Sequence, residues 1–160
     1  MAKEGCSNRG GCEIYSSADF GSEPYLIKIG DNVRVNACVK FVTHDGGVWV
    51  LRHGTEAIKS DLSNADLFGT IEIGNNVHIG TGTIIMPGVT IGSNCIIGCG
   101  AIVTKNIPDN SIAVGVPARV IETVEEYFEK HKADFDYTKS MSAAEKHEYL
   151  CCKYKDYMNT

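Results

Sequence analysis

His44 and Asp45 stand where Phe41-Val-Thr-His-Asp-Gly-Gly departs from the regular spacing that governs most of this chain. Irregular segments on a regular scaffold are where chemistry is commonly placed. An imidazole titrates near neutral pH and takes a proton from an attacking hydroxyl or amine at little cost; one such base contributes about 10²- to 10⁴-fold in rate. The plainer reading is a loop histidine that caps a turn. Asp45 either orients that imidazole or binds a polar substrate, yet a carboxylate or carbonyl from another part of the fold is the more natural orienting partner for an adjacent residue. His53, which follows Trp49 in the same stretch, reads equally as a substrate contact and as a surface residue. His131 and His147 fall in polar carboxy-terminal segments and read as solvated.

The element that must position these groups is written in a period of six. Ile73, Ile79, Ile85, Ile91, Ile97 and Val103 recur at every sixth position, usually with glycine next. Six is neither the 3.6 of a helix nor the 2 of a simple strand, so the chain must turn once per repeat and return above itself after three repeats. The expected architecture is all-β, a prism of stacked short strands. The first residue of each hexad points inward, as does the fifth: Val77, Thr83, Val89, Cys95 and Ala101. Glycine and the pairs Asn75-Asn76 and Ser93-Asn94 fall between, where the backbone must bend into conformations that a Cβ disfavours. The same pattern appears once earlier, at Ile29, Val33, Val35 and Phe41. Residues 12–28, with Ile14, Phe20 and Ile27, read as an imperfect first coil.

Between Phe41 and Ile71 the period is lost. This inserted loop, 42–70, carries Val48-Trp49-Val50-Leu51, and loops of such length inside compact folds are functional or disordered; the apolar run argues for the former. The expected division is 1–120 for the prism with its loop and 121–160 for a helical extension. There Thr123 with Glu126, and Ser142 with Glu145, each read as a capping box that opens a helix. These helices are expected to cover the last coil, whose open strand edge would otherwise invite aggregation.

A chain of 160 residues is the size of one domain. Its net charge of −5, with no basic cluster, argues against nucleic acid or anionic membrane as the main partner. No stretch has the length and apolarity of a membrane span, and the first twelve residues lack a signal peptide's apolar core, so a cytoplasmic protein is expected. Seven cysteines are an odd number. Cys95 should face inward and Cys99 outward, and Cys151 and Cys152 are neighbours on one helix, so neither pair suits a shared tetrahedral metal. Cys6 and Cys12 are able to approach each other, but the glycine-rich terminus favours that little, and reduced thiols are the simplest account.

The hexads, the loop opening at Phe41 to Gly47, the run Ile71 to Gly80, and the close from Val103-Thr-Lys-Asn-Ile-Pro to Val116-Pro-Ala-Arg-Val together resemble the hexapeptide-repeat acyltransferases. The nearest branch is that of galactoside, maltose and surface-polysaccharide O-acetyltransferases. The resemblance covers about three quarters of the chain and is strongest after Ile71. It implies a left-handed parallel β-helix, a homotrimer with active sites between subunits, and acetyl-CoA lying in the groove between two of them, with no metal required. It places His44 where the family carries its catalytic histidine, although relatives often have one more residue between the threonine and the histidine. Position by position it puts Thr81, Cys99 and Thr104 beside the pantetheine arm and Lys105 and Arg119 near the nucleotide phosphates. A second arginine found in some relatives is Glu122 here, and the tryptophan that relatives often carry near the groove is His78. Asn36, Asp45, Trp49 and Tyr25 are the candidate contacts to the acceptor, the two aromatics as stacking surfaces for a sugar ring.

The resemblance implies acetyl transfer from acetyl-CoA to a sugar hydroxyl of a surface polysaccharide or of its nucleotide- or lipid-linked precursor. Two alternatives stay open. One is N-acetylation of a nucleotide-linked amino sugar, which the same base and groove would serve; the other is a non-catalytic β-helix scaffold. A zinc hydrolyase on the same repeat needs three histidines on neighbouring coils, and Thr83 stands where the second would follow His78.

Overall fold

The computed structural model describes residues 10–56 and 62–158; Cys6 lies outside them. The chain divides into two compact units, Met1–Tyr127 and Phe128–Thr160. In the first, strands of two to five residues run β1 (Glu13–Ile14), β2 (Ile27–Ile29), β3 (Val33–Val35), β4 (Lys40–Phe41), β5 (Ile71–Ile73), β6 (Val77–Ile79), β7 (Ile84–Ile85), β8 (Thr90–Ile91), β9 (Cys95–Ile97), β10 (Ile102–Val103), β11 (Ser111–Val114) and β12 (Arg119–Thr123).

From β2 to β10 consecutive strands fall in different sheets and each strand pairs with the third one on, while β1 pairs with β3 and β11 with β9 at the two ends. The first sheet has the order β1-β3-β6-β9-β11-β12, the second β4-β7-β10 and the third β2-β5-β8. All these pairings are parallel except the last, where β12 turns back antiparallel on β11. The result is a parallel β-helix of three faces, and its register keeps like residues in columns: Ile29 over Ile73 over Ile91, and Phe41 over Ile85 over Val103.

Burial follows the hexad. Ile79, Ile85, Ile91, Ile97 and Val103 are fully buried, as are Thr83 and Ala101, with Val77, Val89 and Cys95 nearly so. The two polar members of that inner column bring their own partners: Thr83 Oγ1 donates to the Gly80 carbonyl at 2.8 Å, and Cys95 Sγ to the Pro108 carbonyl at 3.1 Å. Burial pushes the Cys95 thiol above its ordinary pKa, so it remains a protonated core group.

One corner of the prism explains the paired asparagines. Asn32, Asn76, Asn94 and Asn110 all have φ of 54 to 57°, in the left-handed region that asparagine tolerates better than other residues carrying a Cβ. Their side chains stack into a ladder, each Nδ2 donating to the next Oδ1 at 2.8, 2.9 and 3.0 Å. Asn76→Ala removes two of the three hydrogen bonds of the ladder and forces alanine into that backbone region, so chemical denaturation should show a loss of about 1–2 kcal/mol. Asn76→Gly keeps the backbone geometry and should lose less.

Residues 42–70 leave and rejoin the prism through a two-stranded stem. The Asp45 N–H donates to the Leu67 carbonyl and the Gly69 N–H to the Thr43 carbonyl, both at 2.8 Å, with His44 bridged to Phe68 between them. The run read as an apolar loop segment forms a short helix, Val48–Arg52, with Val48 buried and Trp49 66% exposed. Arg52 clamps it to the returning chain: Nε donates to the Ala65 carbonyl at 2.9 Å, and Nη2 pairs with the Asp66 carboxylate.

Helix Val124–His131 opens on a reciprocal cap, Thr123 N–H to Glu126 Oε2 at 2.7 Å and Glu126 N–H to Thr123 Oγ1 at 3.1 Å. In the second unit, helix Ala143–Lys153 opens on the capping box of Ser142 and Glu145. Asp136 accepts from Tyr149 Oη and Lys153 Nζ, each at 2.6 Å, which ties the connecting segment to that helix. Among the described residues no helix is long and apolar enough to cross a membrane.

Candidate active site

His44 is the first residue past Thr43, where the chain leaves the prism after β4. Its backbone is fixed by the stem, and its side chain is 47% exposed. The imidazole Nδ1 lies 3.1 Å from Glu23 Oε2, and the same oxygen accepts from Thr43 Oγ1 at 2.7 Å. With Nδ1–H donated to the carboxylate, Nε2 keeps the free lone pair, which is the tautomer a general base needs. Thr43 is buried and the Glu23 side chain is only 15% exposed, so this carboxylate is held in place rather than free at the surface. Hydrogen bonds from Ser22 first, then Thr43 and His44, hold its pKa below the usual glutamate value, despite some opposing desolvation. Glu23 therefore stays anionic through mildly acid solution.

Sequence reasoning missed Glu23. It lies 21 residues before His44 on the imperfect first coil, beside the 3-10 turn Pro24–Leu26, and only coil stacking brings the two together. The one available signal was chemical: a carboxylate next to a proline, on the coil beneath the histidine. Asp45 is placed otherwise. Its Oδ1 accepts from the Gly47 N–H at 2.7 Å, so it shapes the start of the insertion while Glu23 orients the imidazole.

His44, Asp45, Leu67, Phe68, Met86 and Thr104 are among the residues that line a pocket of about 540 Å³. The Phe68 ring meets the imidazole edge to face, centroids 6.3 Å apart. This pocket lies on the corner between the second and third sheets, where Met86-Pro87-Gly88 and Thr104 succeed His44 coil by coil. Lys105, exposed, follows Thr104 there.

Asn36, Thr81 and Cys99 occupy a different corner, between the first and second sheets. Ala37, Thr81 and Cys99 stack on successive coils: the Gly82 N–H donates to the Ala37 carbonyl and the Gly100 N–H to that of Thr81. A Cβ on Gly80 would come within 2.5 Å of the Cys99 nitrogen, so glycine is what lets the coils close there. Thr81 and Cys99 are exposed. Asn36 pairs with His78, its Nδ2 3.2 Å from the ring Nε2. Arg119 opens β12, its Nη1 donating to the Ala118 carbonyl at 2.9 Å. Tyr25 is 71% exposed two residues past Glu23, whereas Trp49 packs against His53, ring centroids 4.9 Å apart. One chain thus unites His44, Asp45 and Thr104 on one corner and Asn36, Thr81 and Cys99 on another. Among the described residues no group of three or more His, Cys, Asp or Glu is placed to hold a metal ion.

Residues 70–105 match the family model described as bacterial transferase hexapeptide (six repeats). Protein CapG of Staphylococcus aureus is 53% identical over 137 residues, 86% of this chain and 76% of CapG. The galactoside O-acetyltransferase of Escherichia coli is 38% identical over 120 residues, and this chain spans only 54% of its length. Among solved structures, a maltose O-acetyltransferase from Clostridium difficile superposes with a TM-score of 0.55 at 30% identity, covering 74% of this chain and 70% of that one. The chain belongs to the hexapeptide-repeat acetyltransferases, and its fold is the left-handed parallel β-helix of that family. Acetyl-CoA is the acyl donor of such an enzyme.

Proposed function

We propose that the protein transfers an acetyl group from acetyl-CoA to a sugar hydroxyl of a surface polysaccharide or its nucleotide- or lipid-linked precursor, in the cytoplasm, with His44 as general base. The observation that carries this reading is the His44–Glu23–Thr43 chain at the mouth of the pocket. A histidine that only capped a turn would have no use for a carboxylate brought from another coil. The names of the galactoside and maltose relatives supply the acceptor class.

Acetyl-CoA supplies the acetyl group as a thioester. His44 Nε2 takes the proton of the acceptor hydroxyl as its oxygen attacks the thioester carbonyl, and later returns that proton to the departing sulfur. Glu23 holds the ring and balances the charge it gains. Thr104, Thr81 and Cys99 flank the pantetheine arm through small side chains and open backbone groups. Lys105 and Arg119 meet the nucleotide phosphates, and backbone N–H groups at the corner support the developing negative charge on the carbonyl oxygen. On the acceptor side Phe68 joins Asp45 and Tyr25 as a wall of the site.

The two separate corners support a homotrimer, in which the His44 corner of one chain meets the Thr81–Cys99 corner of the next. The outer faces differ in the same sense. The third sheet presents Lys28, Glu72 and Thr90 with a surface ion pair, whereas the second presents half-exposed Ile84 and Ile102 beside exposed Lys40. Sedimentation at several protein concentrations should give three chains per particle; a monomer active at high dilution would contradict the shared site.

Offering a sugar with free hydroxyls and its amino counterpart, and testing the products for hydroxylamine lability, separates ester from amide. The O-acetyl reading expects a labile ester on the hydroxyl sugar; a stable amide formed only on the amino sugar would replace it with N-acetylation.

A further inference from the structure

The chemistry above leaves one half-buried imidazole without a task. His78 sits on the outer side of β6, between its register partners Arg34 on β3 and Ile96 on β9. Its Nε2 lies 3.2 Å from Asn36 Nδ2, and Asn36 is the residue at which β3 enters the corner that carries Thr81 and Cys99 on the next coils. We propose that His78 is a positioning residue for Asn36: by accepting a hydrogen bond from Nδ2 it keeps the amide oxygen turned to the groove, where Asn36 receives a hydrogen bond from a hydroxyl of the sugar acceptor. The identity of that ligand rests on the acetyltransferase reading given above; the amide–imidazole pairing does not.

A carboxamide is a donor at one end and an acceptor at the other, so whatever fixes its nitrogen also decides what its oxygen offers. A ring nitrogen accepts only while it carries no proton. Burial first, and the nearby Arg34 charge second, lower the His78 pKa and keep the ring neutral. Arg34 is itself held on the outer face by Glu13, 3.4 Å away, and by Tyr15 Oη, also at 3.4 Å. From β9 the neighbour is Ile96, which carries no charge. When acid protonates the ring, Nε2 becomes a donor, the amide turns its oxygen toward it, and Asn36 shows the groove an N–H₂ group in place of a carbonyl. The orientation of the amide is thereby tied to the protonation of His78.

Two measurements test this. In nuclear magnetic resonance of the intact protein, the Asn36 side-chain N–H₂ signals should follow the His78 titration, which lies on the acid side of the ordinary histidine value, and should cease to do so in His78→Gln. A signal that ignores the titration overturns the pairing, whether or not the protein turns over any substrate. In kinetics, the KM for the acceptor should rise about tenfold as His78 protonates, the loss of one hydrogen bond, while the KM for acetyl-CoA stays level. His78→Gln, whose side-chain oxygen accepts from Asn36 at any pH, should keep the low acceptor KM and abolish its pH dependence. His78→Phe should show the raised KM throughout, with its far-ultraviolet dichroism confirming the fold. An acceptor KM unmoved in His78→Phe, or a shift in the acetyl-CoA KM instead, overturns the role in acceptor binding.

Discussion

His44→Ala should lower turnover by about 10²- to 10⁴-fold, the range for loss of a positioned general base. The argument is geometric. Glu23 engages Nδ1 and leaves Nε2 as the free basic atom, while Phe68 and Asp45 wall the space beside the ring. The fold should not suffer: the side chain is half exposed, and the stem that fixes this residue uses the backbone of Thr43, Asp45, Leu67 and Gly69. Binding of acetyl-CoA, followed by calorimetry, should remain close to that of the native protein, because the proposed coenzyme contacts Thr104, Lys105 and Arg119 are untouched. An unchanged rate would remove His44 from the chemistry.

Glu23 should give the second large effect, and two substitutions divide its roles. The hydrogen bonds from Thr43 and His44 fall on one oxygen, Oε2, so glutamine can keep these two while losing the charge. Glu23→Gln should cost about tenfold in kcat, through poorer stabilisation of the protonated ring as the hydroxyl is deprotonated. Glu23→Ala loses the orientation as well and leaves the buried Thr43 hydroxyl without its acceptor, so kcat should fall by about 10²-fold or more, short of the roughly 10⁴-fold seen when a deeply buried orienting carboxylate is replaced. Because the depressed pKa keeps Glu23 ionised in mild acid, the native pH–rate profile should not gain an acid limb from this carboxylate. Equal rates for the native protein and both variants would show that the imidazole is oriented by something else.

How much of this was legible in the sequence depended on how local each feature is. Ile79 and Val77 could be assigned inward because a period of six repeats its packing at every turn, and Asn76 and Asn94 marked the corner because few other residues tolerate left-handed backbone. Cys95 and Cys99 were separated for the same reason: one is the fifth residue of its hexad, an inward place, and the other the third residue of the next, an outward one. The caps at Thr123 and Ser142 need only their own next three residues. The candidate site is not local in this sense. Glu23 reaches His44 across 21 residues, Asn36 reaches His78 across 42, and Arg52 closes the insertion across 13; each contact exists only once coils are stacked or the stem is paired. Asp45 was legible as a polar neighbour of His44 but not as the acceptor for the Gly47 N–H, because turn geometry decides which way a short carboxylate points. The apolar run at Trp49 carried too few residues to separate a single helical turn and a half from a loop.

The most direct test of the central claim is the release of free thiol from acetyl-CoA by the native protein and by His44→Ala, across a panel of sugars, nucleotide-linked amino sugars and oligosaccharides. The account predicts release that depends on a hydroxyl-bearing sugar and is lost in the variant. Thiol release equal in both proteins, or none with any acceptor together with no binding of acetyl-CoA, would contradict it.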